Sequence, residues 1–315
     1  MSENRIIVTV PEALHGKRLD QALAQLCPEH SRARLQNWIK VGNVTVNGKP
    51  LRQREAVNAG EQISLLPIFE TQADAPRQAI PLDIIHADDE IIILNKPPGL
   101  IVHPGAGNPE QTLLNALLYY DGTLEKVPRA GIIQRLDKDT SGIMVVARTP
   151  TSHTYLVEQM QQRKIQRTYQ AIVTGVMTAG GTVNAPIGRH PVQRKRMAVV
   201  ERGKPAVSHY RIITKYRSHT HIQVTLESGR THQIRVHMAH IHYPIVGDPV
   251  YAGRLRLPKN ASPRLHEALR TFPRQALHAF QLGFVHPATG QEISFTAPLP
   301  ADILDLLQLL QDEER

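Results

Sequence analysis

Apolar positions along the first sixty residues change their period twice. Leu19, Leu23 and Leu26 recur at helical spacing, and Pro28 ends that run. Ser31 is placed to cap a second helix that carries Leu35, Trp38 and Ile39 on one side. Val44 and Val46 then alternate as strand residues do, and Asn47-Gly48 is a tight-turn pair. The pattern predicts two short helices and a hairpin. Residues 69–80, FETQADAPRQAI, are polar, hold a proline and show no period, as a linker does. The expected organisation is a small domain over residues 1–75 and a larger one over 76–315.

Beyond the linker, apolar runs alternate with amphipathic stretches. IIILN, GIMVVA, TYQAIVTG, IQVTLES and FQLGFVH are predicted strands. Asn108 is predicted to cap a helix, with Pro109 at its first position and Gln111 reaching back. There is no fixed-period repeat, and strands and helices mix without a βαβ rhythm. An α+β class with a mixed sheet follows.

Composition narrows the partner. The chain of 315 residues has a formal charge of +9 and 41% hydrophobic residues, enough for a sizeable core. The excess is local: Ser31 to Arg54 holds six Lys/Arg and no acid, and Pro186 to Arg217 holds nine against Glu201 alone. A polyanion is the expected partner. No apolar run approaches the ~18 residues of a spanning helix, which favours nucleic acid over membrane. The start, MSENRIIVTVPEA, does not read as a signal peptide. One cysteine, Cys27, excludes a disulfide framework and points to a reducing cytoplasm. Arg32, Arg34 and Lys40 on the second predicted helix are candidate contacts for an RNA phosphate backbone.

Candidate chemistry is sparse. HPGAGNPE lacks the third glycine and the Lys-Ser ending of a phosphate loop. His232, His237, His240 and His242 lie close in sequence, yet no HExxH pattern accompanies them, and the next carboxylate is Asp248. Imidazoles serving as neutral hydrogen-bonding groups are the simpler reading. No serine or cysteine sits in a recognisable nucleophile setting. What remains is GIIQRLDKDTSGIMVVAR, residues 131–148, with Asp137 and Asp139 beside Arg135 and Lys138 ahead of a wholly apolar strand. A rigid, partly desolvated carboxylate with a cationic partner suits covalent or acid-base work. Extended spacing puts Asp137 and Asp139 on one face, so period alone does not choose between them. Gly142 is expected to turn the chain into the strand. ESGRTHQIRVH, residues 227–237, supplies Arg230 and Arg235 as available partners.

These segments carry a family resemblance. Residues 16–66 resemble the S4-like RNA-binding modules. The 131–148 segment, NKPPGLIVHPG (95–105), KIQRTYQAIV (164–173) and the run from Ser228 to Arg254 resemble the RluA family of pseudouridine synthases. The resemblance implies a pseudouridine synthase fold, with a mixed, largely antiparallel sheet, behind an S4-like domain. It implies a monomeric cytoplasmic enzyme that isomerises selected uridines of 23S ribosomal RNA, in the helix 69 hairpin, without a cofactor. By position, the family's catalytic aspartate falls on Asp137, its active-site tyrosine on Tyr169 and the arginine that pairs with the aspartate on Arg230. Arg135 matches the arginine that reorganises RNA around a flipped base, and His232 and Arg235 are further RNA-binding candidates. Gln134 departs from the histidine common before Arg-Leu-Asp in relatives, and glutamine cannot titrate. Two rivals stand beside this reading: a synthase for transfer RNA or another ribosomal site, and a non-catalytic ribosome assembly factor.

Overall fold

The computed structural model describes residues 5–28, 30, 32–66, 75–105, 107–193 and 196–314, without the side chains at 33 and 34. The N-terminal part is built from β1 (Ile6–Thr9), α1 (Leu19–Leu26), α2 (Arg32–Lys40), β2 (Val44–Val46), β3 (Lys49–Pro50) and β4 (Gln62–Leu65). The strands form one antiparallel sheet in the order β1-β4-β2-β3. Asn47 and Gly48 both take positive φ between β2 and β3, the conformation a two-residue hairpin turn demands. Leu19, Leu23, Leu35, Trp38, Val44 and Val46 are buried in a core of this region's own. The helical and alternating periods of the sequence thus describe real inward faces. The expected cap Ser31, the side chain of Arg34 and the first half of the expected linker, 69–74, lie outside the described residues; positions 75–80 form no helix or strand.

From residue 75 onward the elements are β5 (Asp83–Ala87), β6 (Ile91–Lys96), α3 (Leu113–Tyr120), β7 (Ser141–Ala147), α4 (Pro150–Gln161) and β8 (Gln166–Thr174). They continue with β9 (Gly181–Asn184), β10 (Ile187–Arg189), β11 (Met197–Val199), β12 (Val207–Lys215), β13 (His219–Leu226) and α5 (Gln233–His240). The last are α6 (Pro263–Thr271), β14 (Leu277–Val285), β15 (Glu292–Thr296) and α7 (Ala301–Asp312). Nine strands form one sheet, in the order β5-β6-β7-β14-β8-β13-β12-β9, with β15 on the other part of the β14 edge. Every pairing is antiparallel except β7 with β14. The mixed, largely antiparallel sheet expected from the sequence is present. The five predicted strands appear as β6, β7, β8, β13 and β14, with TYQAIVTG, IQVTLES and FQLGFVH running one or two residues past the observed ends.

Two local expectations need correction. Helix α3 is capped by Thr112, whose side chain and that of Asn115 form a reciprocal capping box, and Asn108 is not its cap. Gly142 lies within β7 and does not turn the chain. Its φ is +119°, and a Cβ there would meet the Ala279 carbonyl oxygen at 2.2 Å, so glycine permits the close approach of β7 to β14.

Candidate active site

The loop from Ile132 to Thr140 leads into β7 and is fixed from several sides. Leu136 is buried in the core. The Lys138 carbonyl accepts from Lys96 Nζ at 2.9 Å and from the Gly99 amide at 3.0 Å. Lys96 is fully buried, and its ammonium also donates to the Pro97 and Leu100 carbonyls at 2.7 and 3.0 Å. Burial pushes its pKa down to about 7, against the pull of Asp139 and Asp137. On the other side, Arg274 Nη1 donates to the Asp139 carbonyl at 3.1 Å while its Nε and Nη2 grip Asp302. Gln275 Nε2 holds Thr140 Oγ1. Ahead of the loop, Arg129, Ala130 and Gly131 all have positive φ, and a Cβ on Gly131 would collide with the Ala147 carbonyl. This backbone is over-determined by its neighbours, as positioned functional loops are.

Asp137 faces a cleft of about 810 Å³ whose walls come from residues 101–105, the loop, β8 and residues 226–235. Asp139 is not among its lining residues. Arg235 Nη1 donates to Asp137 Oδ2 at 2.9 Å, and its Nε and Nη2 clasp Asp248 at 2.7 and 2.9 Å. Asp248 Oδ1 also accepts from the Val250 and Tyr251 amides. Burial works against the guanidinium charge, but Asp248 and Asp137 outweigh it and raise the Arg235 pKa. The second carboxylate oxygen, Oδ1, faces His232 Nε2 at 3.8 Å. Tyr169, on β8, lines the same cleft and is nearly buried. Burial raises its phenol pKa; Asp137 adds to this and Arg167 opposes it.

One sequence expectation fails here. Arg230 lines the cleft but does not pair with Asp137: its Nε donates to the Pro205 carbonyl and its amide to Gln233 Oε1. Arg235 takes the pairing place because it lies inside α5, turned toward the loop, whereas Arg230 precedes that helix. Asp248, which orients Arg235, and the buried Lys96 went unrecognised. The GDPVY run was the available signal for the first, and a lysine ending an otherwise apolar strand for the second. His237 is a core histidine bonded to Ser208 Oγ and the Ala185 carbonyl.

Six arginines (129, 135, 163, 167, 230 and 235) and Lys138 line the cleft against Asp137 and Glu227. Arg135 is exposed and reaches Thr231 Oγ1 at 3.4 Å. Burial, with the Arg129 and Arg135 charges, pushes His103 down to about 4. Such a cleft suits a polyanion that brings one polar group down to the acid. In the N-terminal region Lys40 is exposed, and Arg32, more than half exposed, reaches Asp20 Oδ2 at 3.2 Å. No helix among the described residues is long and apolar enough to cross a membrane.

A largely antiparallel sheet carrying an arginine-paired aspartate at the start of a buried strand is the setting in which the comparisons fall. Residues 90–240 match the RNA pseudouridylate synthase family and residues 17–63 the S4 domain. The chain belongs to the RluA family of pseudouridine synthases, and it carries an S4 domain at its N-terminus. It is 58% identical, over 97% of its length and 96% of the relative's, to ribosomal large subunit pseudouridine synthase D of Pseudomonas aeruginosa. It is 53% identical to the protein of that name from Escherichia coli K12, over 98% of this chain and 94% of the relative. Among solved structures, human RNA pseudouridylate synthase domain containing 4 superposes with a TM-score of 0.58 at 27% identity, over 73% of this chain and 93% of the other.

Proposed function

We propose that this protein converts selected uridines of large-subunit (23S) ribosomal RNA to pseudouridine, in the helix 69 hairpin, and that Asp137 is the reacting acid. The observation that carries the assignment is the asymmetry of the Asp137 carboxylate: Oδ2 is held by Arg235, and Oδ1 is open to the cleft beside Tyr169. The relatives named for ribosomal large subunit modification support the substrate class.

In this reading the target nucleotide leaves its stack, which costs a few kcal/mol, and the arginines of the cleft offset that cost on the phosphates. Arg135, exposed at the mouth, meets the RNA around the vacated position. Asp137 Oδ1 then either adds to C1′ as the N1–C1′ bond breaks, or takes a ribose proton to leave a glycal. The uracil turns, and C5 bonds to C1′ as the ester bond to Asp137 breaks or, in the glycal route, as the ribose takes its proton back from Asp137; the C5 proton is then lost while N1 gains one. Nothing is gained or lost overall, so the reaction calls for no cofactor. Tyr169 packs beside the uracil and assists removal of the C5 proton. Arg32, Arg34, Lys40 and the wall residue Arg230 contribute phosphate contacts. Gln134 leaves the aspartate chemistry intact and alters only RNA contacts.

The test is to map pseudouridines in ribosomal RNA from cells with and without this protein, and in cells carrying Asp137→Asn. Loss of the helix 69 pseudouridines in both altered strains supports the reading. Loss elsewhere moves the target, and an unchanged map overturns it. Removing residues 1–75 is expected to weaken ribosomal RNA binding and site choice more than it disturbs the cleft; unchanged affinity would refute the RNA-binding role of that region.

A further inference from the structure

His232 is held in an unusual way for a residue expected only to touch RNA. It precedes α5 with φ 58° and ψ 22°, a left-handed conformation that a side-chain-bearing residue keeps only when its surroundings enforce it. The imidazole is fixed at Nδ1, which lies 2.8 Å from the Tyr251 hydroxyl. That hydroxyl accepts from the Met197 amide at 3.0 Å, which leaves its own proton available to Nδ1. Tyr251 is itself anchored, its amide on Asp248 and its ring beneath the Arg196 and Arg235 guanidinium groups.

Donation by the hydroxyl defines the tautomer. With Nδ1 accepting, the imidazole proton sits on Nε2, 3.8 Å from Asp137 Oδ1. Burial lowers the ring's pKa and so favours its neutral form; Asp137 and Asp248 oppose that, and Arg235 and Arg135 reinforce it. The separation is too long for a direct hydrogen bond. Two atoms that far apart can, however, both lie about 2.8 Å from a single oxygen between them.

Resting on the pseudouridine synthase reading, we propose that Tyr251 sets His232 as an Nε2–H donor to a hydroxyl of the target ribose, and that this hydroxyl donates to Asp137 Oδ1. His232 is then a substrate-contacting residue at the sugar, and Tyr251 a positioning residue that acts through it. The pair also couples the β10–β11 hairpin, through the Met197 amide, to the reacting acid.

The test uses the full-length protein with selectively ¹⁵N-labelled histidine, and the His232 signal is assigned by its loss in His232→Gln. Wild type is expected to show a protonated Nε2 and an unprotonated Nδ1, and Tyr251→Phe a mixture of tautomers. Single-turnover kinetics use a transcript containing the mapped target uridine. His232→Leu is expected to lower the rate about a hundredfold while leaving RNA affinity within several-fold. His232→Gln, which keeps an N–H near the Nε2 position, recovers most of that loss. An Nδ1–H tautomer, read in the wild-type protein itself, overturns the proposal. So does equal loss in the Leu and Gln variants, or a defect confined to affinity. Wild type that forms no pseudouridine in any transcript or cell refutes the functional reading instead, whatever the tautomer.

Discussion

Arg-Leu-Asp occurs at residues 18–20 and again at 135–137, and the two copies do opposite things. In both, the leucine is buried. In the first, Arg18 folds back onto Asp20 through Nε and Nη2, and Arg32 and Gln36 join it, so both carboxylate oxygens are occupied and the side chain is fully buried. In the second, Arg135 reaches outward to Thr231, Asp137 takes a distant partner in Arg235, and one oxygen faces the cleft. A carboxylate saturated with donors is a fastener. One with a fixed half and an open half is equipped for reaction.

The largest effect expected from this contrast is on chemistry. Asp137→Asn should lower single-turnover pseudouridine formation by at least about a thousandfold, with RNA affinity within several-fold and thermal stability unchanged. Asp139→Asn should keep measurable turnover; the reverse pattern would exchange the two acids. Next, Arg235→Lys should cost about a hundredfold in turnover, because an ammonium cannot fork onto Asp248 while holding Asp137. Arg230→Lys should cost less than about tenfold in the same assay. Equal losses would restore Arg230 as the partner.

Asp20→Asn should leave turnover on a short hairpin near wild type while destabilising the N-terminal region by about 2 kcal/mol, read as hydrogen exchange of its amides. Arg18 and Arg32 stay partly exposed and can rehydrate, which keeps that figure modest. Taken per residue and per pH unit, the smallest effect is acid sensitivity. Burial pushes His103, His219, His221 and His278 each down to about 4, all in the larger region. Their folded pKa values lie below the unfolded 6.5, so the stability they contribute is complete above 6.5 and falls as pH drops toward 4. The slope is at most about 1.4 kcal/mol per pH unit for each. Burial acts to raise Asp20, but hydrogen bonds from Gln36, Arg32 and Arg18 prevail and lower it. Its contribution therefore persists until pH falls below about the ordinary 3.8. In an acid titration the larger region should loosen first, followed by circular dichroism and by region-resolved hydrogen exchange.

The same contrast explains what the sequence disclosed. The helices and hairpin of the N-terminal region rest on local periods and turn chemistry, and they were readable; so were the apolar strands β6, β7, β8, β13 and β14. The setting of Asp137 was not, because spacing alone leaves Asp137 and Asp139 equivalent. They are separated by Lys96 and Arg274, which grip the backbone of the loop from remote parts of the chain. Arg230 and Arg235 were equally available partners in sequence, and the left-handed backbone at His232, a non-glycine, intervenes between them. Nothing in the residue pattern announces that reversal. Thr112 displaced Asn108 as a cap for a simpler reason: its hydroxyl meets Asn115, three residues on, inside the core.

The grip of Arg274 on the Asp139 carbonyl, completed by Asp302, has a consequence for how the protein is made. Arg274 is synthesised 135 residues after the carbonyl it grips. A nascent polypeptide therefore carries its aspartate long before it carries the brace that holds the reacting loop in place.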